Sequence, residues 1–292
     1  MSSLTRSSVS AVATMLALML SACGSASSPS AGTPSPSGQP SPSTGEAIHV
    51  VVIGDSIPFA GFCEDCTAFV GRYAEGLEST TGRTVEATNR SRNDGAQLDD
   101  IRTQVSDEAE LREQLATADI VIVSVGFNNG PPWPSDRPCG GSPGDTAAEQ
   151  IAAVLAYDEA CIEPTVASYS GDYDAIYSEI AEVVPQAAVL LTLNVYNNWI
   201  GYPDLGQSAT AEEIGRLESL TRQIFDAWTE MLCERATTHG FSCVDVYHAF
   251  NGVDGLDAPG AKVGSDYTHP SQAGNDVIAD LLAQVEILAP SS

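Results

Sequence analysis

The sequence predicts an α/β fold, a three-layer α/β/α sandwich around a five-stranded parallel sheet. Two observations lead there. Five short runs rich in Val, Ile and Leu recur along the chain, and the strongest are apolar throughout rather than alternating, as strands covered on both faces are. Between them lie longer stretches with the apolar spacing of helices, and strands alternating with helices build βαβ units and a parallel sheet.

The elements follow in order. Ile48-His49-Val50-Val51-Val52-Ile53 is a β-branched run that ends at Gly54. Phe69 to Ser79 has amphipathic spacing and stops at Gly82, a usual helix terminator. Thr84 to Thr88 is a second strand, and Gln97 to Ala118 is helical in pattern, in one piece or two. Ile120-Val121-Ile122-Val123-Ser124-Val125 is a third strand, ending at Gly126, and Ala188 to Leu193 is a fourth. Ala209 to Thr238 is a long helical stretch and Phe241 to Tyr247 a fifth strand. Pro270 to Leu288 closes the chain as a helix with Pro in its first turn, where a missing N–H costs nothing. One doubly wound domain over residues 47–289 accounts for the pattern. Sites in such folds lie outside the carboxyl ends of the strands.

Charge and targeting signals bound the function. Of 292 residues, 39 are acidic and 12 basic, for a net charge of -27. No basic patch is present to hold nucleic acid, and an anionic membrane surface would repel the domain. At the N-terminus, Arg6 precedes an apolar run from Ala11 to Leu20, too short to span a bilayer, and small residues follow. Leu20-Ser21-Ala22-Cys23 resembles the lipobox of bacterial lipoproteins, in which the Cys is lipidated and becomes the new N-terminus. Residues 1–23 are therefore expected to be a signal peptide. The protein is then expected outside the cytoplasm, at the cell surface through Cys23 or secreted, with its lipid anchor the sole membrane contact. Residues 24–46, rich in Ser, Pro and Gly, read as a linker that cannot bury a core.

Setting Cys23 aside from the seven cysteines leaves six: Cys63, Cys66, Cys139, Cys161, Cys233 and Cys243. An even number in an exported chain implies disulfides, without fixing their connectivity. Sequential pairing closes the smallest loops. Cys63-Glu64-Asp65-Cys66 is also compatible with a redox pair or half a zinc site, but no second such motif accompanies it.

The chemistry-bearing residues stand at the strand exits. The first strand runs into Gly54-Asp55-Ser56-Ile57, and the second into Asn89 and a polar loop reaching Gly95. The third runs into Gly126-Phe127-Asn128-Asn129, and after the last comes Asp266-Tyr267-Thr268-His269. Each alone is an ordinary turn or cap. Together they supply what a serine hydrolase needs: a hydroxyl, an imidazole, a carboxylate to orient it, and donors for an oxyanion. Of the other histidines, His49 starts the first strand, at the wrong end, and His239 ends a long helix, where a cation suits the dipole. His248 follows the last strand and is the rival base; it is set below His269, whose Asp266 is read as the partner carboxylate in the final block. Tyr196, Trp199 and Tyr202 follow the fourth strand and either line a groove or pack a loop. The stretch Gly130 to Gly144 either shapes an acyl pocket or forms a disulfide-tied surface loop.

With these four blocks in order from residue 54 to 269, the chain resembles the SGNH hydrolases, within the GDSL-type lipases and esterases. It departs by Ile57 in place of Leu, and by Asn129 where the family's third block often carries Asp. The resemblance implies a flavodoxin-like sheet. It implies Ser56 as nucleophile, His269 as base and Asp266 as its orienter. The Ser56 and Gly95 N–H groups and the Asn128 amide would form the oxyanion hole. It implies hydrolysis of a carboxylic ester, lipid, short acyl or acetylated sugar, through an acyl-enzyme, with no metal or organic cofactor and as a monomer. Similarity to secreted actinobacterial esterases implies the sequential pairs Cys63–Cys66, Cys139–Cys161 and Cys233–Cys243. The alternatives are acyl transfer on the same scaffold and a surface lipoprotein that only binds.

Overall fold

The computed structural model describes residues 45–59, 62, 63 and 65–285. The signal peptide, Cys23 and all but the end of the linker lie outside these residues, as does the stretch from 286 on.

Five strands, β1 (Ile48–Gly54), β2 (Val85–Asn89), β3 (Ile120–Ser124), β4 (Val189–Leu193) and β5 (Ser242–Val244), form one sheet in the order β2-β1-β3-β4-β5. All pairings are parallel, with Val52 opposite Asn89 and Ile122. The expected α/β/α sandwich with a five-stranded parallel sheet is the observed one. The strand order reverses beside β1, and the crevice at that switch point is where such sheets take ligands.

The unbroken apolar runs have a direct cause: successive side chains feed two cores. Val50, Val52, Ile120 and Ile122 face one layer, while Val51, Ile53, Val121 and Val123 face the other. In chain order the helices are α1 (Ser56–Phe59), α2 (Phe69–Thr81), α3 (Leu98–Asp107), α4 (Ala109–Leu115), α5 (Ala147–Leu155), α6 (Ile162–Ala167), α7 (Ser170–Val183), α8 (Leu205–Ser208), α9 (Ala211–Thr238), α10 (Val246–Asn251) and α11 (Gln272–Ala283). Helices α2, α10 and α11 bury apolar residues in the first core, and α3, α4, α7 and α9 in the second.

Several boundaries moved. The helical stretch 97–118 is two helices. Helix α9 starts at Ala211 because Thr210 and Glu213 form a reciprocal capping box. Helix α11 starts at Gln272, capped by the Ser271 side chain, so Pro270 precedes the cap instead of entering the first turn. The fifth strand stops at Val244: the Asp245 side chain accepts the N–H of His248 and turns Val246 and Tyr247 into a helix. Residues 145–187, unassigned from sequence, hold α5, α6 and α7, and Thr146 and Glu149 start α5 with a second capping box. The structure pairs Cys63 with Cys66, Cys139 with Cys161 and Cys233 with Cys243.

Candidate active site

The site is assembled at the exits of β1 and β3. Asp55 is buried, and its carboxylate accepts the Ile57 N–H at 3.0 Å and the Phe127 N–H at 3.1 Å. One side chain thus clamps the two exits together, with Ser56 opening α1 between them. Burial pushes the Asp55 carboxyl up to about 6, since its backbone hydrogen bonds only partly replace lost solvation.

Gly126 has φ 117° and lies under the Tyr173 hydroxyl, 2.2 Å from where a Cβ would stand, so only glycine lets the chain turn there. The turn swings Asn128 toward the loop after β2, where its Nδ2 donates to the Ala96 carbonyl at 2.9 Å. A primary amide has two N–H donors, so one remains for a substrate oxygen. Gly95, one residue before Ala96, has φ 79° and open space above it. Asn129 is buried, and its Oδ1 accepts the Leu98 N–H at 2.9 Å, fixing the start of α3 and with it the Gly95 loop.

Asp266 and His269 sit on a loop closed by Gly264 N–H to the His269 carbonyl at 2.8 Å and a bridge between Val263 and Pro270. Asp266 Oδ1 accepts the N–H groups of Thr268 and His269, both at 3.0 Å, which leaves Oδ2 for His269 Nδ1 at 2.7 Å. Burial works to raise the Asp266 carboxyl. The bonds from the His269 ring and from these two N–H groups outweigh it and hold it below its usual value. His269 Nε2 lies 2.9 Å from Ser56 Oγ. Ser56, His269 and Asp266 therefore form one hydrogen-bonded chain, able to strip a proton from the Ser56 hydroxyl. Among the described residues no group of three or more His, Cys, Asp or Glu is placed to hold a metal ion.

A family model for GDSL-like lipases and acylhydrolases matches residues 52–277, most of the chain and all four blocks. The chain belongs to this family. As a GDSL-like acylhydrolase it is an enzyme acting on ester bonds. Solved structures show the same fold. A lipase from a goat-rumen metagenome has 16% identity and a TM-score of 0.59, over 81% of this chain and 96% of that one. An extracellular lipase from Streptomyces rimosus has 16% identity and a TM-score of 0.56, over 82% and 100%. Phospholipase A1 from Streptomyces albidoflavus has 17% identity and a TM-score of 0.53, over 82% and 100%. No curated protein matches.

In this GDSL-like hydrolase the remaining histidines separate by position. His49 lies 3.4 Å from Glu86, beside β2, and His239 caps α9 at 3.1 Å from Asp174. The sequence argument against His248 fails: Asp245 stands three residues before it, and the Nδ1–Oδ2 distance is 2.7 Å, as in the Asp266–His269 pair. The difference is that His269 reaches Ser56, while Asp245 serves α10 as its cap and takes an N–H from Asn194 at 2.9 Å. Tyr196 is buried, its hydroxyl donating to the Thr268 carbonyl beneath the Asp266–His269 loop. Trp199 and Tyr202 instead line a 130 Å³ cleft with Gln150, Ile151, Asn198 and Thr268. The Gly130–Gly144 stretch is a tied loop anchored by buried Trp133, which stacks on Tyr157 and donates to the Asn129 carbonyl. Sequence reasoning missed Asn194, Asn197, Gln150 and Phe62. Asn197 locks the loop after β4 by pairing with Asn251 and Thr221. A cluster of Asn just past a strand was the only signal available.

Proposed function

We propose that the enzyme is an exported serine carboxylester hydrolase working through an acyl-enzyme on Ser56. The observation that carries this is the chain Ser56–His269–Asp266 at 2.9 and 2.7 Å. His269 Nε2 takes the Ser56 proton as Oγ bonds to the ester carbonyl carbon. The Ser56 and Gly95 N–H groups and the free Asn128 N–H hold the developing oxyanion. The tetrahedral intermediate collapses, the C–O bond to the alcohol breaks, and His269 returns the proton to the departing alcohol oxygen. Water then attacks the acyl carbon with His269 again as base, releasing the acid and restoring Ser56. Asp266 fixes the imidazole tautomer and offsets the imidazolium charge.

The space beneath the β1 and β3 exits, lined by Asp55, Ile57, Phe127 and Tyr196, is only 10 Å³. Neither Ser56 nor His269 lines it, so the acyl group is held elsewhere, along the surface beside Ser56. The 130 Å³ cleft beside Thr268 is suited to the alcohol portion of the ester. The lipobox-like Leu20-Ser21-Ala22-Cys23 and three disulfides support export and anchoring through Cys23.

Hydrolysis of p-nitrophenyl esters from acetate to palmitate, with Ser56→Ala as control, tests the chemistry. Activity on at least one ester of the series, absent from Ser56→Ala, is expected. Full activity in that variant would overturn the assignment. Incorporation of labelled palmitate that is lost in Cys23→Ala tests the anchor.

A further inference from the structure

We propose that Phe62 is a positioning residue for the imidazole of His269, held in place by the Cys63–Cys66 disulfide. The proposal rests on Ser56 and His269 being the reacting pair. The Phe62 and His269 rings are stacked, with centroids 3.7 Å apart and planes 12° from parallel. Phe62 is nevertheless 50% exposed, one of few large apolar side chains so placed. A single half-exposed aromatic is ordinary on a surface; what sets Phe62 apart is that its ring lies flat on the imidazole.

The local chain holds it there. Cys63, the next residue, is bonded to Cys66, and the Cys66 N–H closes a turn on the Cys63 carbonyl at 3.2 Å. Just beyond, Thr67 N–H donates to Gln272 Oε1 at 2.8 Å and Phe69 N–H to Asn275 Oδ1 at 2.9 Å. Gln272 and Asn275 belong to α11, and Asn275 Nδ2 donates to the carbonyls of Pro270 and Ser271, directly after His269. The segment that follows the nucleophile is therefore fastened to the helix that follows the base. Phe62 leans on His269 from a support tied to both partners.

The imidazole needs such a support. Asp266 grips it at Nδ1 alone and is itself about two-fifths exposed, so water competes for that carboxylate. Swinging the ring about its bond to Cβ breaks both of its hydrogen bonds, and water at the exposed carboxylate makes that loss cheaper. A flat aromatic face against it blocks the swing on one side and keeps Nε2 on Ser56 Oγ. It also keeps water off that face.

The test compares Phe62→Ala, Phe62→Leu, Phe62→Tyr and Phe62→Trp with the unmodified enzyme. Stacked aromatic pairs justify a kcat loss of about 3- to 10-fold in Phe62→Ala and Phe62→Leu. KM stays within about twofold, the same loss appears on every ester, and Phe62→Tyr and Phe62→Trp keep kcat. The rate at which an alkylphosphonate fluoride inactivates Ser56 falls by the same factor, and peptide-resolved carbethoxylation of His269 by diethyl pyrocarbonate speeds up. Cys63→Ser with Cys66→Ser reproduces part of the loss. A rise in KM with kcat and inactivation rate unchanged would make Phe62 a substrate contact and overturn the proposal. Unchanged kinetics in Phe62→Ala, with Ser56→Ala inactive, would overturn it while leaving the nucleophile assignment intact. An active Ser56→Ala would overturn both. Thermal unfolding of each Phe62 variant, expected unchanged because Phe62 is half exposed, separates these results from misfolding; the double Cys variant, which loses a disulfide and some stability, is compared by activity per folded molecule.

Discussion

Asp55 offers a test for which the structure sets both sign and size. Its carboxyl is 1% exposed, takes backbone N–H groups from Ile57 and Phe127, and has no ion pair among the described residues. Burial raises it from 3.8 in the unfolded chain to about 6. A group whose folded value is raised binds its proton more tightly when folded. The stability it lends is full below 3.8 and is lost as pH rises through about 6. The complete loss is about 3 kcal/mol, most of which falls between pH 4 and 8. Asp55→Asn keeps the shape and removes the titration. Its NH₂ faces one of the two backbone donors, a constant penalty of about 1–3 kcal/mol. The quantity to read is therefore the difference in unfolding free energy between wild type and variant, followed by urea titration from pH 4 to 8. All other titrating groups cancel in that difference. Wild type should lose about 2 kcal/mol relative to the variant across the range. A difference that stays flat would refute the argument that burial outweighs the backbone bonds at this carboxyl. Because Asp55 clamps the strands that carry Ser56 and Asn128, the variant should also lose kcat.

Three further outcomes are expected. Asn128→Ala should lower kcat by about 10²–10³ with little change in KM, because its free N–H meets the oxyanion and not the ground-state ester; steady-state kinetics decide this. His248→Ala should leave kcat/KM within about twofold, whereas His269→Ala should cost on the order of 10⁴–10⁶, despite the identical local pairing of the two histidines. Replacing Cys139 and Cys161 with Ala should lower unfolding free energy by about 3 kcal/mol, since the bridge spans a sequence separation of 22. Urea titration at neutral pH measures that loss, and activity per folded molecule should hold.

Much of the sheet was legible in the sequence because both faces of β1 and β3 are buried, which forces β-branched residues at every position of Val50–Ile53 and Ile120–Val123. Where burial is partial the signal weakened. Val246 and Tyr247 are apolar like a strand, but a single side-chain bond from Asp245 winds them into a helix. Helices α5 and α6 run to nine and six residues in a stretch broken by loops, and so left no sustained period to read.

The site divided along the same line. Residue types and order along the chain marked Ser56, Asp266 and His269, because a reaction that needs a hydroxyl, an imidazole and a carboxylate limits what can stand at the strand exits; Gly95 and Asn128 were marked by the resemblance to the SGNH hydrolases. Contacts between distant segments left no mark. The cleft joins Gln150 to Trp199 and Thr268, and Phe62 meets His269 across more than two hundred positions. The two Asp-x-x-His pairs show the limit most clearly. Asp245–His248 and Asp266–His269 make the same bond over the same spacing, so local chemistry cannot rank them. The packing of α11 against α2 and its ties to Thr67 and Phe69 set the second pair beside Ser56. The sequence by itself determined which groups were available for the reaction. Only the tertiary structure decided which imidazole stands within reach of the nucleophile, because that distance depends on how whole helices pack.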